Sequence, residues 1–187
     1  MSGSGSVATA RVVVGVSGSV GSLTALRRAA DEARQRGAQL WPVLAWQPPG
    51  GDPAARRGPG VSLVHGEWQR LARERLVAVL SDVFGEAGPG VWMYALVAHG
   101  TAGQALVEIA DREDDILVVG AGRRSRWHRA CGRSVTRYCL AHATCPVLAV
   151  PPSALETELA AVHRRNAWRL RLDTRHLARD TVRPDGA

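Results

Sequence analysis

The chain has 187 residues, enough for one domain with an appendage, and its 45% hydrophobic content is that of a folded protein with a real core. Its net charge of +7 comes from arginine alone, because lysine is absent; this reads first as codon bias in a GC-rich genome and second as an anion-binding face. No stretch approaches the roughly 20 apolar residues of a membrane span, which excludes a membrane-spanning helix.

Residues 1–10 are rich in Ser, Gly and Ala, without the charged and apolar regions of a secretory signal, and read as a flexible arm. Six of the nine aromatic residues are Trp, so the core is built mainly from Val, Leu and Ala. Cys131, Cys139 and Cys145 form no C-x-x-C pair, which argues against a zinc site or disulfide framework and fits reduced thiols in a cytoplasmic protein.

Val12, Val13 and Val14 form a short β-branched run, apolar on both faces as a central parallel strand would be, and it ends in Gly15 and the Ser17-Gly18-Ser19 turn. Leu23, Leu26, Ala30 and Ala33 then recur at helical spacing, and Gly37 is the expected C-cap. Residues 40–46 read as a second strand, in which Pro42 favours an edge or an early position. The Gly/Pro-rich segment 48–60 reads as a loop, and Trp68, Leu71, Leu76, Val79, Leu80 and Val83 mark a long helix.

Residues 91–98 read as a third strand, followed by a helix carrying Ala105, Leu106, Ile109 and Ala110 on one side. Ile116 to Val119 is the clearest strand of all. A loop of Gly and Arg spans 120–132, a helix spans 134–142, and a last strand spans 146–150. Strict β-α alternation predicts a doubly wound, five-stranded parallel sheet with helices on both faces. In such sheets ligands sit beyond the carboxyl ends of the strands, where strand order reverses. The glycine-containing loops after the first and fourth strands would share that crevice, each leading into a helix whose free N–H groups favour an anion.

Six arginines, at 123, 124, 126, 129, 133 and 137, crowd fifteen residues after the fourth strand. They suit phosphate oxygens, a nucleic-acid backbone or a solvated loop; with only Trp127 and Tyr138 interleaved, the pattern argues against nucleic acid. The six histidines show no metal-ligand spacing, and no nucleophile–base pair can be assembled from the spacings. The sequence therefore reads as a binding module rather than an enzyme.

The opening Arg11-Val-Val-Val-Gly-Val-Ser-Gly-Ser, the Ala25-Leu26 and Gly37-Ala38 pairs, Gly100, the strand Asp115-Ile-Leu-Val-Val-Gly120, Ser134-Val135 and the ending His142-Ala-Thr-Cys-Pro-Val-Leu-Ala-Val150 resemble universal stress proteins. The resemblance covers about residues 10–151. It implies a Rossmann-like, adenine-nucleotide-hydrolase-like domain over 11–152, a stress-associated regulatory role, ATP with Mg as ligand, and a homodimer paired through the last strand, Val147 to Val150. ATP-binding members carry G-x-x-G, nine residues, then G-[S/T], and an Asp at the end of the first strand. Carried over, the site residues are Val16, Ser17, Ala45, Val119, Gly120, Gly122, Arg123, Gly132, Arg133, Ser134 and Val135, with Ala45 facing the adenine. The sequence departs from the pattern where Ser17 replaces the Asp and where Arg123 and Arg133 replace glycines, with Gly122 and Gly132 one residue earlier.

Two other readings compete. A nucleotide-free interaction module would keep the fold and lose the site. A PP-loop ATP pyrophosphatase is suggested by residues 17–22, which resemble that family's S-G-G-x-D-S loop, although the family's Asp falls at Gly21. Beyond the domain, residues 153–187 form a basic extension. Leu155, Leu159 and Val162 have helical spacing, Trp168, Leu170 and Leu172 alternate like a strand, and residues beyond about 178 read as disordered. Its apolar stripe is expected to pack on the domain, on a dimer mate or on a protein partner.

Overall fold

A computed structural model describes residues 9–47, 59–121 and 134–151, with residues 59–64 described by their backbone alone. The basic extension, the 48–58 segment, and Gly122, Arg123, Gly132 and Arg133 lie outside the described residues.

The strands are β1 (Arg11–Gly15), β2 (Gln39–Trp46), β3 (Leu96–His99), β4 (Ile116–Gly120) and β5 (Val147–Val150). The helices are α1 (Val20–Arg36), α2 (Pro59–Phe84), α3 (Ala102–Ile109) and α4 (Val135–His142). All pairings are parallel and the strand order is β3-β2-β1-β4-β5, which is the doubly wound sheet that the β-α alternation predicts. The chain steps outward from β1 to β3, returns to place β4 against the other side of β1, and steps outward again to β5.

Two apolar layers follow from the period-2 alternation of the strands. Val12, Val14, Leu40, Leu44, Ile116 and Val118 pack against the Ala25, Leu26, Ala29 and Ala33 face of α1 and against Ala72, Leu76 and Leu80 of α2. On the opposite face Val13, Val43, Leu117 and Val119 meet Leu106 and Ala110 of the α3 segment, Cys139 of α4 and Cys145. Cys139 and Cys145 are buried and free, and burial pushes the Cys139 thiol up to about 11.

Gly37 ends α1 as expected. It sits in the left-handed region at φ +60°, and its N–H reaches Ala33 O and Arg34 O. The long helix begins at Pro59, two residues inside the segment that composition assigns to a loop, because proline is well suited to a first helical position.

The second and third strands depart from expectation in a connected way. Pro42 is fully buried in β2, between β1 and β3, and not at an edge. In a parallel strand the N–H and C=O of one residue point to one neighbour and those of the next residue to the other. Leu40 N donates to Trp92 O at 2.8 Å and accepts Tyr94 N on its carbonyl at 2.9 Å, whereas Val43 O accepts Val16 N on the β1 side. Pro42, two residues beyond Leu40, therefore presents its missing donor toward β3. There the ladder is interrupted: after the isolated Leu40↔Met93 bridge, pairing resumes only at Val43↔Leu96. The predicted strand 91–98 is accordingly reduced to β3 at 96–99.

Candidate functional site

Strand order reverses between β1 and β4, so their carboxyl ends lie side by side, the position at which open parallel sheets take ligands. Each loop leads into a helix capped by serine. Ser19 Oγ accepts Ser22 N at 3.3 Å at the start of α1, and Ser134 Oγ accepts Arg137 N at 3.4 Å at the start of α4.

The β1–α1 loop is tied down by hydroxyls. Val16 is buried and extends the β1–β2 ladder through its N–H to Val43 O at 2.8 Å. Ser17 N donates to Ser22 Oγ at 3.2 Å, and Ser22 Oγ donates to Ser19 O at 2.8 Å. The hydroxyls of Ser17 and Ser19 are exposed and 3.0 Å apart. Gly18 has φ +73°, a conformation that a side chain would strain.

Gly120 closes the other side. A Cβ added there would stand 2.9 Å from Gly21 O, so the end of β4 and the first turn of α1 approach as closely as backbone allows. Thr136 Oγ1 donates to Gly120 O at 2.8 Å, fixing the first turn of α4 to the same strand end, and Ala121 N donates to Val150 O at 2.7 Å. Val119 is buried against the α3 and α4 side. Ala45 pairs with Ala98 near the end of β2, and Val135 is exposed at the start of α4. The structure thus assembles Val16, Ser17, Val119, Gly120, Ser134 and Val135 around the switch point, with Ala45 one strand away.

Three features escape sequence reading. Arg75, from the middle of α2, donates from Nη2 to Ser17 O at 2.8 Å, a contact spanning 58 positions. Thr136 is placed by the register of a two-turn helix, which a hydroxyl next to Val135 does not announce. Trp46 and His99, at the ends of β2 and β3, and His65 of α2 form a cluster of rings with centroids 4.9 to 5.8 Å apart. His65 and His99 are 34 positions apart, so spacing along the chain gives no hint of it. Among the described residues no group of three or more His, Cys, Asp or Glu could hold a metal ion, and no helix is long and apolar enough to cross a membrane.

At the other end of the strands the chemistry is that of a closed clamp. Buried Arg11 donates from Nε to Asp115 Oδ1 at 2.8 Å, and from Nη2 to Asp115 Oδ2 at 2.5 Å and Asp111 Oδ1 at 2.6 Å. Its guanidinium lies 4.7 Å from the Trp41 ring centroid, and Arg112 N donates to Asp115 Oδ2 at 3.1 Å. The hydrogen bonds to Asp115 raise the Arg11 pKa above its ordinary value, and Arg11 holds the Asp111 carboxyl below the usual carboxylate range.

The fold and the placement of these loops can be compared with known proteins. The model of the Universal stress protein family matches residues 9–151. A universal stress protein solved in complex with cAMP is 28% identical with a TM-score of 0.57, over 76% of this chain and 97% of that one. UspA from Lactobacillus plantarum is 22% identical with a TM-score of 0.58 (75% and 97% covered), and a universal stress protein from Archaeoglobus fulgidus is 24% identical with a TM-score of 0.51 (75% and 92% covered). The latter two likenesses show the fold. Comparison with curated proteins gives no match. A match to the family over residues 9–151, joined to the parallel five-stranded sheet of order β3-β2-β1-β4-β5, places this chain in the universal stress protein family.

Proposed function

We propose that this chain is a regulatory binding protein of the stress response that takes an adenine nucleotide in the crevice between the 15–19 and 120–134 loops. The observation that carries the reading is the convergence of the Ser19-capped and Ser134-capped helices on the adjoining ends of β1 and β4, with Gly120 bare of side chain between them. The 28%-identical relative in complex with cAMP supports an adenine-bearing ligand. The nucleotide, as ATP with Mg or as a smaller phosphate ester, acts by ordering the loops around the crevice and shifting a population of states, with no bond made or broken. Among the described residues β5, Val147 to Val150, is an edge strand, and its outer backbone would serve a homodimer.

Calorimetric titration with ATP, ADP and cAMP, with and without magnesium, tests the reading. Saturable binding that weakens several-fold in Ser134→Ala and Arg123→Ala is the expected result. No heat and no thermal stabilisation at millimolar nucleotide would instead support a nucleotide-free interaction module. The specific observation favouring that second reading is that Ser17 stands at the end of β1 where ATP-binding members of the family carry an Asp.

A further inference from the structure

We propose that Arg75 is the specificity-determining residue of this crevice, holding a phosphate oxygen of the ligand at the end of β1; the proposal rests on the nucleotide reading above. Arg75 reaches the β1–α1 loop from α2, and one of its five N–H donors is spent on Ser17 O at 2.8 Å. Its Nη2 and Nε lie 3.2 and 3.3 Å from the position a Cβ would take at Gly18, so glycine leaves the room that lets the guanidinium rest on the loop. The Ser17 and Ser19 hydroxyls are exposed on that loop.

Among the described residues the charge there has no counterpart. Arg28, Arg34, Arg36 and Arg70 each pair with a carboxylate on their own helix, whereas among the described residues Arg75 makes no ion pair. The first turn of α1 contains no acidic residue, and position 17 is serine where the resemblance has aspartate. A carboxylate at the end of β1 accepts hydrogen bonds from a ligand; a guanidinium only donates them. The polarity of this strand end is therefore reversed, and the ligand group that faces it must be an acceptor. Phosphate matches the planar fork and its charge. Ligand binding would draw the remaining donors of Arg75 onto the phosphate and couple α2 to the occupied crevice.

The test compares the affinities of AMP, adenosine and inorganic pyrophosphate for the full chain, Arg75→Ala and Arg75→Lys. The expected result is that Arg75→Ala weakens AMP about 10- to 100-fold, the loss of a charge-assisted hydrogen bond, and leaves adenosine unchanged. Arg75→Lys should recover part of the loss, since it keeps the charge without the fork. If Arg75→Ala lowers the melting temperature and weakens AMP and adenosine equally, or weakens neither, Arg75 is a loop tether and the proposal is overturned. If the full chain binds no nucleotide, pyrophosphate decides. Arg75-dependent pyrophosphate binding would sink the nucleotide reading and leave the Arg75 site standing, whereas an absence of pyrophosphate binding would overturn both.

Discussion

The two ends of the parallel sheet solve opposite problems with the same residue type. At the amino end Arg11 is buried, doubly bonded to a fully buried Asp115, bonded again to Asp111 and laid beside Trp41. At the carboxyl end Arg75 is exposed, holds one backbone carbonyl and has no carboxylate among the described residues. The first guanidinium is satisfied within the fold and its charge is spent there. The second keeps most of its donors available beside a strand-order reversal. Arginine content alone, 24 basic residues in a lysine-free chain, does not separate these cases; the partners do.

The comparison breaks most visibly at Asp115. Asp115→Ala leaves Arg11 buried without its main partner and should cost about 3–5 kcal/mol of stability in chemical denaturation. Ser17→Ala, at the exposed end, should stay within about 0.5 kcal/mol. Comparable losses from the two variants would refute the division between a structural and an available end.

A smaller effect sharpens the account of the crevice. Gly120→Ala places a methyl group 2.9 Å from Gly21 O, and because that atom is backbone the strand end or α1 must shift. A loss of about 1–3 kcal/mol is expected from such overpacking, together with weaker nucleotide binding. Unchanged stability would mean that the close approach of β4 and α1 is not a constraint.

The smallest effect lies at the rim of the Arg11 clamp and depends on pH. Arg11 depresses the Asp111 carboxyl in the folded protein, so the ionised form is favoured there relative to the unfolded chain. The resulting stability is present above the ordinary carboxylate pKa, about 3.9, and is lost as pH falls through the lower folded value. The melting-temperature gap between the wild-type chain and Asp111→Asn should therefore be widest near neutrality and narrow below about pH 4. Because Asp111 is largely exposed, the gap should also shrink at high salt.

Much of the fold was legible because it is encoded locally. The Val12-Val13-Val14 run, the Ala and Leu stripe of α1 and the Gly37 cap each identify their element without a distant partner. The third strand was legible only in part. Residues 91–95 have strand composition, but whether they pair depends on which neighbour Pro42 faces, and that is a property of register. The candidate site divides in the same way. Its loops follow from strand ends and glycines, so Ser17, Gly120 and Ser134 could be named in advance, whereas Arg75 and the Trp46–His65–His99 cluster join elements far apart in the chain.

By itself, then, the sequence determined the parallel α/β class, the order of its elements, the Gly37 cap and the two loops that end β1 and β4, because hydrophobic period and turn chemistry act over a few residues. Only the tertiary structure decided that Arg11 is buried against Asp115, that Pro42 interrupts the β2–β3 ladder and that Arg75 rests on the β1–α1 loop. Those outcomes depend on contacts between segments tens of residues apart, which local propensity does not carry and which packing of the two layers on the sheet brings together.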